Sequence, residues 1–408
     1  MDQQDRGGAP APEPRPAAPG MAQVAFSGRR GPLFSLLLRN AALTLVTLGI
    51  YRFWAKVRLR RYFWHNISVL GDPLEYSGTA VELLIGFLIV VAVLVPLSMA
   101  YGTLGAMAAA LGPRVGMALE AGYYLVLFAL IQVGFYRMWR YRLTRTTWRG
   151  IRFGQVGSAL WYMWRALGWM ALTILTLGVA YPWMRVDLTA YRLNNTQFGA
   201  SRFNFQGAGR DLLAPWLWAL LVWLVPLAVF VFLNLQLVTD LTQYMDGEEM
   251  TDLSTPDAAV VLLPWLAVPI LFLRFKVFEF RYVAARTRLA DTGFHSDIRT
   301  SAVVVAAMVT GFAFVILLGS IPVLFLVVGT GAAMLTQSVI FVTIPLVLFV
   351  IFMMSILGYL IFRYELVAAV CRTLTITDPQ DLENTVRRTG EDPSFGEGLA
   401  DAFDIGAI

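Results

Sequence analysis

Ala42-Leu43-Thr44-Leu45-Val46-Thr47-Leu48-Gly49 lies, at an offset of 129 residues, over Ala171-Leu172-Thr173-Ile174-Leu175-Thr176-Leu177-Gly178. The match continues without a gap: Trp54 over Trp183, Lys56 over Arg185, Tyr62 over Tyr191, Asn66 over Asn195 and Gly78 over Gly207. Twelve of the 37 positions from 42 to 78 are identical, and several are Trp, Tyr, Asn or Gly, which apolar bias alone does not supply. The pattern reads as a tandem duplication, so its two copies are expected to sit alike in whatever medium surrounds them. Each copy ends in an alternating segment closed by glycine, Leu74-Glu75-Tyr76-Ser77-Gly78 and Phe203-Asn204-Phe205-Gln206-Gly207, and Val24-Ala25-Phe26-Ser27-Gly28 precedes the first. Period-two alternation ending in glycine reads as a short strand or extended turn. Such pieces could pair into a small cytoplasmic sheet. Fainter echoes follow later in Phe280-Arg281-Tyr282 and Phe362-Arg363-Tyr364.

The medium follows from composition. Of the 408 residues, 58% are apolar and 14% charged, with mean hydropathy +0.64. Soluble domains carry roughly 25% charged residues; this chain could not cover its own surface in water and reads as an integral membrane protein. Cys371 is the single cysteine, and the histidines are His65 and His295. No disulfide framework or metal site is expected from them. Residues 1–23 read as a disordered cytoplasmic tail, 24–376 as the membrane domain and 377–408 as an acidic C-terminal tail. Within the domain, repeat 1 covers about 25–110, repeat 2 about 152–240, and a degenerate last third 258–376.

Uncharged runs place six spans near 82–102, 118–139, 212–238, 258–279, 301–328 and 337–362, the last two divided at Gly329-Thr330-Gly331. Segments 32–54 and 159–183 are also apolar but carry Arg39 and Arg165, and basic residues flank both ends of each. Basic loops stay on the cytoplasmic side. If neither segment crosses, every strongly basic loop falls inside, and the loop 240–257, with six acidic residues and no basic one, falls outside. The expected fold is therefore an all-α polytopic membrane protein: six crossing helices plus two re-entrant or interfacial helices, with both termini cytoplasmic. The net charge of +5 then divides into an excess of basic charge inside and of acidic charge outside.

Leu48-Gly49-Ile50-Tyr51-Arg52-Phe53-Trp54-Ala55-Lys56-Val57-Arg58, Ala180-Tyr181-Pro182-Trp183-Met184-Arg185 and Trp148-Arg149-Gly150-Ile151-Arg152-Phe153-Gly154 resemble hallmarks of the YjgN-like family of bacterial inner-membrane proteins, a domain of unknown function. The resemblance is strong from about Ala25 to Gly207 and weak beyond. It implies an inner-membrane location and supplies no catalytic residues.

The residues themselves point to binding. Arg and Lys interleave with aromatics along Tyr51–Asn66, a pattern suited to anionic lipid head groups, with Trp and Tyr at the head-group level. A plain positive-inside anchor with an aromatic belt carries the same signature. Candidate head-group or substrate contacts are Arg39, Trp54, Lys56, Arg58, Arg61, Tyr62, Asn66, Arg165, Trp183, Arg185, Tyr191 and Asn195. Arg39 and Arg165 stand out as charges within apolar segments. Glu82, Glu279 and Glu365 lie near basic residues at the ends of spans and read as local ion pairs. There is no phosphate loop, dinucleotide fingerprint, nucleophile elbow or zinc-protease motif, so no enzyme, cofactor or nucleic-acid partner is expected. Two classes remain: a transporter, channel or lipid-handling protein, and a non-transporting scaffold that gathers anionic lipid or a cytoplasmic partner on its Arg/aromatic face.

Overall fold

The computed structural model describes residues 20–245, 258–324 and 350–385. Ten short strands appear in it: β1 (Met21–Phe26), β2 (Ile67–Val69), β3 (Asp72–Tyr76), β4 (Thr146–Trp148), β5 (Ile151–Gln155), β6 (Thr196–Phe198), β7 (Ser201–Phe205), β8 (Thr287–Leu289), β9 (Thr292–Ser296) and β10 (Leu374–Thr377). Every neighbouring pair is antiparallel, and β1 pairs with both β2 and β10, which closes the ring. The all-α expectation is thus wrong: the helices are mounted on a closed ten-stranded β-barrel. The reason is local. A strand of three to six residues offers few alternations between long apolar helices, and its partners lie up to hundreds of residues away.

The barrel is threaded as five units of one order, strand–helix–helix–strand. Their helix pairs are α1 (Arg30–Val46) with α2 (Arg52–His65), α3 (Ala80–Leu111) with α4 (Pro113–Thr144), α5 (Ala159–Leu175) with α6 (Tyr181–Asn194), α7 (Leu213–Met245) with α8 (Ala258–Arg286), and α9 (Thr300–Leu324) with α10 (Val350–Thr373). The returning helix of each unit packs on the long strand of the next: α2 on β3, α4 on β5, α6 on β7, α8 on β9 and, closing the circle, α10 on β1. One backbone hydrogen bond recurs where each helix pair leaves the barrel. It runs Ser27 N–H to Asn66 C=O (2.9 Å), Ser77 to Arg145 (2.9 Å), Val156 to Asn195 (2.9 Å), Gln206 to Arg286 (3.2 Å) and Asp297 to Thr373 (3.2 Å).

The opposite end carries tight turns. Leu70-Gly71 and Arg149-Gly150 both take positive φ, as two-residue hairpins with the twist of the strands require. Between β10 and β1 no covalent turn exists, yet Asp378 (φ 50°) and Gly20 (φ 85°) take the same conformations and join through Asp378 N–H to Gly20 C=O at 3.0 Å. The short helix α11 (Gln380–Glu383) follows and sets Leu382 against the barrel core.

Side chains alternate across the wall. Trp148, Phe198 and Leu289, each third in its short strand, are buried together inside, whereas Glu75, Arg152, Arg202, Asn204, Arg288 and His295 are exposed outside. A membrane-spanning barrel presents an apolar band outward; this wall is polar outward and faces water.

Among the described residues, five helical segments are long and apolar enough to cross a membrane: Ala80–Ala108, Pro113–Thr144, Gly209–Ala228, Thr300–Gly319 and Val350–Thr373. The expected span at 258–279 falls within α8. The break at 329–331 and most of the acidic loop 240–257 lie outside the described residues. Helices of 32 residues, such as α3 and α4, reach about 48 Å at 1.5 Å per residue; α1 and α2, at 17 and 14, reach about 25 and 21 Å. The segments read as re-entrant are the α1–α2 and α5–α6 hairpins.

Local chemistry sets these lengths. Thr79 and Glu82 stand in capping-box spacing at the start of α3, the Thr79 hydroxyl accepting Glu82 N–H at 3.4 Å. In the short hairpins the repeated Thr-Leu-Gly is the turn. Gly49 N–H reaches Thr44 C=O and Gly178 N–H reaches Thr173 C=O, both at 2.7 Å. The Thr47 hydroxyl then accepts Tyr51 N–H, and that of Thr176 accepts Ala180 N–H, each at 3.0 Å, pinning the returning helix.

Of the later sequence echoes, Tyr282 lies five residues before its short strand, as Tyr62 and Tyr191 do, whereas Tyr364 lies ten before its own.

Candidate functional site

Most residues picked from the sequence hold the units together. Tyr62, Tyr141, Tyr191 and Tyr282 each stand five residues before a short strand. The Tyr62 hydroxyl donates to Arg29 C=O (2.6 Å) and accepts Arg29 N–H (2.9 Å), clamping the chain between β1 and α1. Tyr191 does the same to Ser158 (3.0 and 2.9 Å), Tyr282 to Ala208 (3.2 and 2.6 Å), and Tyr141 donates to Glu82 at 2.8 Å. Asn66 and Asn195 end α2 and α6, their side-chain amides donating to Tyr62 and Tyr191 carbonyls at 2.7 Å. Arg61 donates to Gly78 C=O at 3.1 Å, Arg58 lies 5.3 Å over the Tyr51 ring, Trp54 stacks on Tyr51, and Trp183 packs against Gly209 so closely that a Cβ there would meet its ring at 2.6 Å.

In the second copy the charges pair. Arg165 meets Asp187 at 2.8 Å, and Asp187 also accepts the Trp169 indole N–H at 2.9 Å. Arg185 meets Glu279 of α8 at 2.6 Å, and Lys276 meets the same carboxylate at 2.9 Å. Burial opposes the Arg185 cation and Glu279 more than offsets it, so its pKa rises. Arg192, in the last turn of α6, has no carboxylate partner among the described residues and donates to the Thr189 hydroxyl at 3.3 Å; burial lowers its pKa.

The first copy differs at these positions: Leu36, Asn40 and Arg58 stand where the second has Arg165, Trp169 and Asp187. In place of a network there is a cleft of about 240 Å³ between α1, α2 and α10. Asn40, Thr44, Arg52, Lys56, Ser355 and Tyr359 line it alongside Leu37, Leu59, Phe352 and Ile356. Asn40 is 4% exposed; its amide donates to Ala55 C=O at 3.5 Å, and its Oδ1 accepts no hydrogen bond among the described residues. Tyr359 sits in a π-helical turn of α10, Gly358–Arg363, a distortion often found at functional sites. The cleft thus combines two cations, hydroxyls, a buried amide and apolar walls, the donor set for an anion carried on an apolar body.

Lys56 is the one candidate from the sequence that lines this cleft; Arg39 is exposed on α1. Asn40, Arg52, Ser355 and Tyr359 were not singled out. A lone amide inside an apolar run was the available signal for Asn40. Ser355 and Tyr359 come from α10, over 290 positions along the chain, and only the closure of the ring brings them here.

The family described as "Bacterial protein of unknown function (DUF898)" matches residues 21–402. Relatives include the inner membrane protein YjgN of Salmonella typhimurium strain LT2, 31% identical over 163 residues, 39% of this chain and 36% of that protein. The inner membrane protein YjgN of Escherichia coli O157:H7 is 28% identical over 132 residues, 31% of this chain and 29% of that one. The chain spans about a third of the length of these curated relatives. No solved structure matches it.

Proposed function

The chain belongs to the bacterial family of unknown function DUF898, and on that premise we propose that it is an inner-membrane protein that binds and handles anionic lipid in the cleft between α1, α2 and α10. The relatives' names support the location, and the long apolar helices support a multi-pass chain. Six helices cross, the α1–α2 and α5–α6 hairpins enter from one side and return, and the water-facing barrel hangs in the cytoplasm with both termini. The exposed leucines at the two tips, Leu48 and Leu177, suit insertion among acyl chains. The matching bounds of α2, β2 and β3 with α6, β6 and β7 at the 129-residue offset support a duplicated unit.

The observation that carries the reading is the pairing of Arg52 and Lys56 with an orphaned buried Asn40 Oδ1, which a head-group hydroxyl would satisfy. The role is one of binding rather than catalysis.

The test is lipid retention by native mass spectrometry of protein purified from bilayers holding phosphatidylglycerol and phosphatidylcholine. Phosphatidylglycerol is expected to be retained preferentially. At about 1 kcal/mol per basic residue, the Arg52→Gln/Lys56→Gln variant should lose roughly thirty-fold in that preference. Equal retention of both lipids by the native chain overturns the proposal.

A further inference from the structure

The outer wall of the barrel is unevenly charged. Strands β5 to β8 hold three arginines, Arg152, Arg202 and Arg288, and no carboxylate. All three are exposed on the outside of the wall. Arg152 has an interaction of its own, whereas Arg202 and Arg288 meet no carboxylate among the described residues. The register sets Phe203 opposite Leu289 and Asn204 opposite Arg288, which makes Arg202 and Arg288 diagonal neighbours on one face. Such positions lie about 7–8 Å apart, within reach of long side chains, and like charges placed there repel. An acidic ligand laid across the pair relieves that repulsion.

Where the C-terminal chain leaves the barrel indicates the ligand. Helix α11 lies across the turn end. The Asp381 carboxylate accepts Asp291 N–H at 2.7 Å, Leu382 is buried in the cluster of Trp148, and Glu383 lies 4.0 Å from Arg149 in the turn that opens β5. The Thr385 hydroxyl donates back to Asp381 C=O at 2.6 Å, and the described residues end there, beside the β5–β8 wall. After Arg388 the sequence holds five carboxylates, Glu391, Asp392, Glu397, Asp401 and Asp404, and no basic residue. Fully extended, the stretch from 385 to 391 reaches about 20 Å, and the three strand spacings from β5 to β8 come to about 14 Å. A ligand joined to its surface by so short a stretch acts at an effective concentration in the millimolar range, which a separate acidic partner would have to exceed. We infer that residues 389–408 dock on the β5–β8 wall with their carboxylates on Arg202 and Arg288, so that this basic face is occupied from within the molecule. The contact is separate from the α1–α2–α10 cleft and stands or falls independently of it.

Cross-linking of the full chain tests the inference, in phosphatidylcholine nanodiscs holding one copy each, with a short bis-maleimide and mass spectrometry of the linked peptides. Asn204→Cys, outside β7 between the two arginines, is paired with Ala402→Cys. Ser68→Cys of β2, across the ring, is paired with Ala402→Cys as the comparison. The native Cys371 is buried. The Asn204 pair is expected to link within one chain at least ten times more than the Ser68 pair. Arg202→Gln/Arg288→Gln should lower that yield at least tenfold, and about 0.5 M salt should do the same by screening the exposed charges. Should the arginine variant not elute as folded protein, Asp401→Asn/Asp404→Asn removes the charge from the other side and leaves the barrel untouched, with the same loss expected. Equal yields at Asn204 and Ser68, or an Asn204 yield unmoved by the folded charge variant, overturns the inference.

Discussion

Glycine closes the strand ends because an aromatic ring occupies the place of its side chain. A Cβ on Gly28 would lie 2.4 Å from the Phe26 ring, on Gly78 2.5 Å from the Tyr76 hydroxyl, and on Gly207 2.4 Å from the Phe205 ring. Tyr76 cannot swing aside cheaply: it is 6% exposed, its hydroxyl accepts from Arg60 at 3.0 Å, and Trp64 packs on it. Gly78→Ala should therefore destabilise by about 1–3 kcal/mol, the range for overpacking a filled core. Gly102→Ala in α3, where nothing lies within 4 Å, should be neutral or stabilising by up to about 1 kcal/mol from helix propensity. Thermal melting of both in one detergent checks the pair, and equal melting temperatures would contradict the ring contact. The aromatic-x-glycine spacing was legible in the sequence as a strand end. That the ring folds over the glycine two residues on was not, because the spacing says nothing of rotamer.

At the scale of elements, two ion pairs at similar distances should differ in worth because their burial differs. Glu279, joining α8 to α6, has a side chain 6% exposed and holds both Arg185 and Lys276. Asp187, joining α6 to α5, is 32% exposed and its partner Arg165 38%. Removing the carboxylate from a buried pair strands a charge, at a cost of about 3–5 kcal/mol. A pair this exposed is screened by solvent and worth no more than about 1 kcal/mol. Glu279→Ala should accordingly lower stability far more than Asp187→Ala, measured by chemical or thermal unfolding of the purified chain. The reverse order would mean that the α5–α6 hairpin, not the α6–α8 contact, anchors this sector. The sequence marked Glu279 as the partner of a nearby base and Arg165 as a charge within an apolar segment. The structure gives Arg165 a carboxylate from the returning helix, which hydropathy cannot display.

For the whole molecule, the proposed orientation has a direct test, helped by the single native cysteine, Cys371, being buried. Ala200, exposed at the β6–β7 turn, lies at the cytoplasmic end of the barrel in this topology, and Arg114, at the α3–α4 connection, lies outside. An impermeant maleimide should label Arg114→Cys in intact spheroplasts and Ala200→Cys only after lysis. Labelling of Ala200→Cys in intact spheroplasts would invert the arrangement.

By itself the sequence determined the medium, the long apolar segments and the likeness of 42–78 to 171–207, since each depends on composition or on spacing within one stretch. Only the tertiary structure decided that the chain closes on a barrel, that β10 meets β1, and that α10 completes the cleft begun by α1 and α2. Those contacts join residues about 300 or more positions apart through strands of three to six residues, too short to announce a partner. Pairing of that kind is settled by the ring as a whole, where each strand is satisfied only when all ten are present.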